Sequence, residues 1–263
     1  MQNVSNSSYS LLLFRRRSAN VCPFLFNRLR KIIFPIPFSN QLIKTTYTAM
    51  QLTIPYLNNT NGKTPMEEIS GALDRQEQHH IQNLPWHEFI YRPHVSFSIA
   101  HTGDNILLKY FVQEKTIRII HYEDNSLVHE DSCVEFFIAF DNEEEYYNLE
   151  FNCAGTCMLG FGKSASQRKL IANDSIRKIR RLATIKSSVN GKDHAISWEL
   201  AVVIPAEVLA YHKVTSLKNR HCRVNFYKCG DKLPEPHFLS WQDMRTSTPD
   251  FHLTKFFGAA YFE

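Results

Sequence analysis

The chain has 263 residues, of which 43% are hydrophobic, and its formal net charge is +4. That much apolar side chain supplies a substantial core, which excludes disorder along the whole chain. Residues 1–49 hold seven of the 30 basic side chains and no acidic one, while the remainder holds 23 basic and 26 acidic side chains, so the body of the protein lacks the positive charge typical of nucleic-acid-binding proteins.

The first 49 residues form a basic extension rich in Ser and Arg. Organelle-targeting peptides have this composition, and a true start at Met50 is the alternative explanation. The second apolar run is broken by Pro35 and Pro37, and neither run approaches the about 20 apolar residues that span a bilayer. The sequence therefore predicts no transmembrane helix. Because no secretory signal is apparent, a cytoplasmic location is the default expectation.

Residues 50–84 are predicted to form a lead segment with one short amphipathic helix within 67–82, and a second short helix is indicated after Ile204. From residue 85 onward, short strands alternate with turn residues at intervals of about 8–12, which is typical of a sandwich. The predicted strands cover 94–101, 106–113, 116–122, 132–141, 146–153, 157–161, 176–185, 195–204, 221–229, 238–241 and 258–262. The predicted fold class is all-β, a jelly-roll-like antiparallel β-sandwich with one or two short helices.

The strand over 146–153 carries polar side chains on alternate positions, and successive side chains of a strand point to opposite faces. One face is apolar and the other is polar, with Tyr147, Leu149, Phe151 and Cys153 on the first and Tyr146, Asn148, Glu150 and Asn152 on the second. Amide, phenol and carboxylate groups supply the hydrogen bonds that sugar hydroxyls need. On the preceding strand, Glu135 is the lone charge on its face, so it requires a partner: a basic side chain from 176–181, a ligand or a metal.

Four blocks of sequence then follow in a fixed order: "DSCVEFFIAF" with "EYYNLEFNCAGTCMLGFG", "ISWELAVVIPAEVL", "RVNFYKCGDKLPEPHFLSW" and "TPDFHLTKFFGAAYFE". Together they resemble the carbohydrate-binding module family 9-like domains common in Bacteroidetes bacteria, over about residues 85–263. The resemblance implies a β-sandwich that binds sugar without cleaving it, by aromatic stacking and hydrogen bonds, in bacterial polysaccharide utilisation. It also implies that calcium is sometimes held structurally and that related chains are often exported.

The resemblance places five candidate carbohydrate-binding residues in these blocks: Trp241, Asn225, Tyr227, Arg223 and Trp198. Strand alternation puts Arg223, Asn225 and Tyr227 on the face opposite to their apolar neighbours, away from the core. Trp241 stands where a strand gives way to a polar loop, so it is the predicted aromatic platform, with core packing as its alternative. For Trp198, apolar neighbours on the same face favour core packing.

Two alternatives to non-catalytic binding stay open. A glycoside hydrolase, or an accessory domain of carbohydrate catabolism, is the first, since hydrolysis needs two carboxylates about 5–9.5 Å apart and Glu135 and Glu150 lie on neighbouring predicted strands. A haem-binding electron-transfer sandwich is the second, in which Met158 and a histidine would ligate iron.

No metal ligand can be assigned, because the 12 histidines and six cysteines show no common zinc-site spacing. The cysteines are predicted to be buried thiols, with a Cys153–Cys157 or Cys222–Cys229 disulfide open in an oxidising compartment. The acidic run over 141–145 supplies oxygen ligands for calcium, or it is simply a solvated hairpin tip. The sequence thus predicts a mono- or oligosaccharide partner and no nucleic acid; it assigns no definite cofactor, with calcium as a candidate beside the haem alternative.

Overall fold

The computed structural model describes residues 51–141, 143–190 and 193–263. These residues belong to one compact unit that runs from Tyr47 to Glu263. The predicted basic extension over 1–49 lies outside the described residues. Within the described ranges, no helix is long and apolar enough to cross a membrane.

The described residues form short strands and two short α-helices. The strands are β1 (Leu52–Ile54), β2 (His79–His80), β3 (His94–His101), β4 (Asn105–Glu114), β5 (Cys133–Phe140), β6 (Tyr146–Asn152), β7 (Cys157–Gly162), β8 (Lys169–Leu170), β9 (Arg180–Asn190), β10 (Asp193–Pro205), β11 (Arg220–Cys229), β12 (Phe238–Ser240) and β13 (Gly258–Phe262). The α-helices are α1 (Met66–Leu73) and α2 (Asn173–Ile176), and 3-10 turns form at Val128–Glu130, Ala165–Gln167, Ala206–Val208 and Thr254–Phe256.

The strands form two sheets. The larger sheet has the order β1-β13-β11-β5-β6-β7-β8, with β12 paired to β11 beside that path, and the smaller has the order β2-β3-β4-β10-β9. Neighbouring strands are antiparallel except for β1 and β13, which pair in parallel. This architecture confirms the predicted all-β, mainly antiparallel sandwich with short helices.

The hydrophobic core lies between the two sheets. Phe97 of β3 stacks on Phe226 of β11 with their ring centroids 3.7 Å apart. Leu149 and Phe151 of β6 point into the same core, as the alternation predicts. Alternate side chains from both sheets therefore meet at one interface, and the burial of this apolar surface is the main stabilising contribution to the fold.

The predicted strand over 116–122 does not form. Asp131 is completely buried, and its carboxylate accepts hydrogen bonds from the backbone N–H groups of Ile120 and His121 and from the guanidinium of Arg118. A side-chain carboxylate thus satisfies the backbone donors that a neighbouring strand would otherwise bind. The β-branched residues of this segment predicted a strand, and no local pattern indicated that Asp131 would bind its backbone N–H groups.

The lead segment is built into the sandwich. It supplies β1 to the larger sheet and β2 to the smaller sheet, and α1 covers part of the smaller sheet's outer face. Leu73 of α1 is buried there, and its carbonyl accepts a 2.8 Å hydrogen bond from the Ser98 hydroxyl. The outer face of the larger sheet has a different cover, the loop over residues 243–257, and the space beside that loop forms the candidate site.

Candidate functional site

The two predicted tryptophans are core residues. Trp241 is 3% exposed and packs edge-on against Phe97 and Phe226. Trp198 is 1% exposed, and its indole N–H donates a 2.6 Å hydrogen bond to Glu114. The expectation of an exposed platform at Trp241 does not hold, because the chain turns inward after β12 and leaves no face of the indole open to a ligand.

The predicted polar trio of β11 lies on the outer face, as strand alternation requires, but the loop over 243–257 covers it. Tyr227 donates its hydroxyl proton to the carbonyl of Phe251 at 3.1 Å, and Arg223 Nη1 donates to the carbonyl of Thr254 at 3.1 Å. Asn225 is completely buried. Alternation therefore assigned the right face, but these groups bind the covering loop: Asn225 and Tyr227 are buried, and only Arg223 stays partly exposed.

A cavity of about 580 Å³ opens beside that loop, on the same face of the larger sheet. We call it the outer cleft, and its lining includes Glu135, Glu150, Cys229, Arg168, Trp86 and Phe238. Its volume lies within the roughly 300–1,000 Å³ of small-molecule sites. The cleft thus has the size of a ligand site, with polar groups on its floor and aromatic rings at one side.

Glu150 of β6 is the centre of the polar floor. Its Oε1 accepts hydrogen bonds from Arg168 Nη1 at 2.9 Å and from Asn148 Nδ2 at 2.8 Å. Burial would raise the pKa of Glu150, but the interaction with His129 and the positive charge of Arg168 outweigh it and lower that pKa. Glu150 therefore carries its negative charge at neutral pH, held in place on one oxygen.

The other oxygen of Glu150 is left without a hydrogen bond. Glu150 is 2% exposed, and among the described residues Oε2 has no donor at hydrogen-bond distance, since His129 Nδ1 lies 3.6 Å away. A buried acceptor that is not satisfied by the protein costs free energy until a donor reaches it. Oε2 faces His129 at ion-pair distance but retains hydrogen-bond acceptor capacity that the described residues leave unused.

Two glycines of β7 make room for Arg168. A Cβ at Gly160 would lie 3.0 Å from Arg168 Cδ, and a Cβ at Gly162 would lie 2.7 Å from Arg168 Cα. Because neither residue has a side chain, the chain after β7 folds back over the sheet and the guanidinium reaches Glu150. The sequence analysis did not select Arg168, since it lies outside the long predicted strands and its role depends on this close approach.

The aromatic side of the cleft comes from three separate parts of the chain. The Trp86 ring lies 5.4 Å from that of Phe251 and 5.9 Å from that of Phe238, between centroids. The indole N–H of Trp86 donates to the Thr246 hydroxyl at 2.9 Å, which fixes the ring. Phe238 is partly exposed. The sequence analysis missed this group, because no local pattern links Trp86 with residues about 150 positions later.

Glu135 has a partner that the sequence analysis did not consider. The thiol of Cys229 donates to Glu135 Oε1 at 3.1 Å. The sequence analysis had offered a basic side chain from residues 176–181 as the partner of Glu135. Arg181 of that run instead pairs with Asp124 at 2.8 Å. Burial, together with the nearby charge of Glu150, raises the pKa of Glu135 well above its usual value. The raised pKa favours the neutral, protonated form of Glu135, and a neutral carboxyl group has less need of a basic partner.

The arrangement of the two floor carboxyl groups bears on the hydrolase alternative. Glu135 and Glu150 are direct cross-strand neighbours on β5 and β6. Glycoside hydrolysis places its two carboxylates on either side of the scissile bond. Two carboxyl groups on one wall of a cleft are instead suited to binding one face of a ligand.

The haem alternative finds no support at Met158. The Met158 sulfur lies 3.5 Å from Arg168 Nη2, so a cation already occupies the approach that iron would need.

The acidic hairpin does not gather its carboxylates around one point. Glu143 pairs with His212 at 3.0 Å, and Glu144 pairs with Lys163 at 3.5 Å. Calcium at this hairpin stays a prediction.

The five cysteines of the described ranges are buried free thiols, as the composition predicts. A different set of possible metal ligands appears on the outer face. The sulfur atoms of Cys133 and Cys229 and a carboxylate oxygen of Glu135 lie within 4.8 Å of one another.

Comparison with known proteins agrees with the fold. The sequence profile of carbohydrate-binding family 9 matches residues 68–262. The crystal structure of a presumed carbohydrate-binding protein from Bacteroides uniformis is 36% identical, with a TM-score of 0.75, and the match covers 82% of this chain and all of that chain.

Two structures of a family 9 module from Caldicellulosiruptor kristjanssonii, in complex with glucose and with cellotriose, are also similar. They are 10% and 11% identical, with TM-scores of 0.46 and 0.45, over 81% of this chain and 96% and 94% of theirs. No curated protein sequence matches. The profile match and the Bacteroides uniformis relative confirm the resemblance noted from the sequence: the chain belongs to carbohydrate-binding family 9.

Proposed function

We propose that the chain binds carbohydrate without cleaving it and that the outer cleft holds one sugar ring. The observation that carries this proposal is the Oε2 atom of Glu150, an ionised, buried acceptor with no hydrogen-bond donor among the described residues, on the floor of a cavity of about 580 Å³. Membership in carbohydrate-binding family 9 supports the ligand class.

In this proposal the polar floor binds the hydroxyl groups of the sugar, and the aromatic side packs against its C–H groups. Glu150 accepts a hydrogen bond from a sugar hydroxyl, and the guanidinium of Arg168 has further N–H groups for a ring or hydroxyl oxygen. The partly exposed ring of Phe238 packs against C–H groups of the sugar. Hydrogen bonds to charged groups contribute about 1.5–3 kcal/mol and aromatic contacts about 0.5–1.5 kcal/mol, so we expect affinities in roughly the millimolar to micromolar range.

The test is a calorimetric titration of the full chain with glucose, cellotriose and a wider set of neutral and charged oligosaccharides. The variant Glu150→Gln keeps the side-chain shape and removes the charge, so we expect its affinity for the bound sugar to fall at least tenfold. Phe238→Ala should also weaken binding. It is a second variant at a partly exposed position, where folding is less at risk.

Glu144→Gln is the matched control, because Glu144 is an exposed carboxylate of the hairpin and does not line the cleft. Its affinity should equal that of the unaltered chain. Failure of the unaltered chain to bind any sugar in the set would overturn the proposed function. An equal loss of affinity in Glu144→Gln and Glu150→Gln would overturn the assignment of the cleft.

A further inference from the structure

Three neighbouring side chains on the outer face of the larger sheet have no role in the proposed sugar contact, and two of them, Glu135 and Cys229, line the outer cleft. Cys133 and Cys229 are directly opposite each other on β5 and β11, and Glu135 follows two residues after Cys133 on the same face. Their two sulfur atoms and a carboxylate oxygen lie within 4.8 Å of one another. Strand pairing, which is fixed by the whole sheet, therefore holds three potential metal ligands together.

These three groups are deeply buried, with exposed fractions of 0% for Cys133, 3% for Glu135 and 1% for Cys229. Apart from the 3.1 Å hydrogen bond from Cys229 to Glu135, their contacts with backbone carbonyls are long: Cys229 lies 3.7 Å from the carbonyl of His129, and Cys133 lies 3.7 Å from that of Val134. A buried polar group costs free energy unless it is well paired. Metal coordination would satisfy all three groups at once.

The donor set also selects a kind of metal. Thiolates favour zinc and other soft or borderline ions, whereas calcium and magnesium take oxygen ligands. Zinc binds sulfur at about 2.3 Å and carboxylate oxygen at about 2.0–2.2 Å, so atoms this close reach one ion after small side-chain rotations. Glu135 and Cys229 line the outer cleft, which gives an ion its path of entry.

We propose that Cys133, Glu135 and Cys229 bind a zinc ion through two sulfur atoms and one carboxylate, with the fourth coordination position open to the outer cleft. Three protein ligands with one open position are the arrangement of an accessible zinc site and not of a closed structural one. Coordination replaces the S–H and O–H protons of the three ligands, and these protons pass to the buffer. The inference does not depend on sugar binding.

The experiment uses the full chain, stripped with a chelator and titrated with zinc chloride in competition with a chromophoric zinc indicator. We expect one zinc ion per chain. Cobalt chloride should give the near-ultraviolet absorption of thiolate-to-cobalt charge transfer. Cys133→Ser, Cys229→Ser and Glu135→Gln should each lower the zinc affinity at least tenfold, and the two serine variants should weaken the cobalt absorption.

Cys222→Ser is the matched control, because Cys222 is also buried on β11 but faces the core between the sheets. It should keep both the zinc affinity and the cobalt absorption. Absence of stoichiometric zinc binding and of the cobalt absorption in the unaltered chain would overturn the proposal, as would equal losses in Cys222→Ser and Cys229→Ser. If a serine variant does not fold, Glu135→Gln and the cobalt spectrum of the unaltered chain still decide the question.

Discussion

At the scale of single residues, Trp241 shows how a residue type suited to sugar recognition becomes a core residue. Its backbone N–H donates to the carbonyl of Phe226 at 2.9 Å, immediately after β12 ends. This bond continues the pairing with β11 for one more residue and directs the indole between the sheets, where the ring contacts Phe97 and Phe226. The loop that follows is polar, but the tryptophan before it is not exposed.

We therefore predict that Trp241→Ala lowers the free energy of unfolding by about 3–5 kcal/mol, because it removes a large buried ring and leaves a cavity. Urea denaturation followed by circular dichroism measures this change. Tyr122→Ala is the control at a ring that is 74% exposed, and we expect a change within about 0.5 kcal/mol there. A loss below about 1 kcal/mol for Trp241→Ala would show that the indole does not pack as described.

At the scale of secondary-structure elements, β7 and the segment after it depend on missing side chains. Gly162 ends β7, and a Cβ there would lie 2.7 Å from the carbonyl oxygen of Gln167 as well as from Arg168 Cα. Both neighbours are backbone atoms, so rotation of a side chain cannot relieve the contact. Gly160 and Gly162 must therefore lack side chains for the chain after β7 to return across the sheet and place Arg168 beside Glu150.

Gly162→Ala should therefore destabilise the protein by about 1–3 kcal/mol, the usual cost of overpacking, and weaken sugar binding by displacing Arg168. The matched control is Gly71→Ala in α1, where the nearest atom to the new Cβ is 3.9 Å away. Alanine favours a helix over glycine by up to about 1 kcal/mol, so this change should be neutral or stabilising. Thermal denaturation and calorimetry on both variants provide the comparison, and equal behaviour of the two would contradict the steric argument.

At the scale of the whole molecule, a buried ionic group joins the two sheets. Lys228 of β11 lies 3.1 Å from the carboxylate of Glu114 of β4 and 2.8 Å from His237 Nε2. The side chains of Lys228 and Glu114 are both completely inaccessible. Burial and the charge of Lys228 lower the pKa of His237 to about 3, so His237 remains neutral and accepts the lysine's hydrogen bond. The sandwich thus contains a charged pair that neither sheet could hold alone.

Removal of one member of this pair leaves an uncompensated buried charge. We predict that Lys228→Met and Glu114→Gln each lower the free energy of unfolding by about 3–5 kcal/mol. The double variant should cost much less than the sum of the two, because no charge is then left unpaired. Chemical denaturation of the four proteins gives the coupling energy.

Lys178→Met is the comparison for an exposed ion pair, that of Lys178 and Glu207, and it should change stability by about 1 kcal/mol or less. Additive effects of Lys228→Met and Glu114→Gln would refute the account of the buried pair.

The sequence by itself determined the fold class, the family and most strand positions. The predicted strands over 94–101 and 258–262 match β3 and β13 residue for residue. Alternation also assigned Glu150 to the outer face and Phe151 to the core. These properties are local: a side-chain period of two is fixed by strand geometry, so it can be read from neighbouring residues.

Only the tertiary structure decided what covers each face and which distant residues meet. The loop over 243–257 buries Tyr227, although alternation had correctly placed it away from the core. Arg168 reaches Glu150 only because β7 lacks side chains where the chain folds back, and Trp86 joins Phe251 across 165 positions of sequence. Alternation specifies the direction of a side chain, but the exposure of that side chain depends on contacts between segments that no local pattern connects.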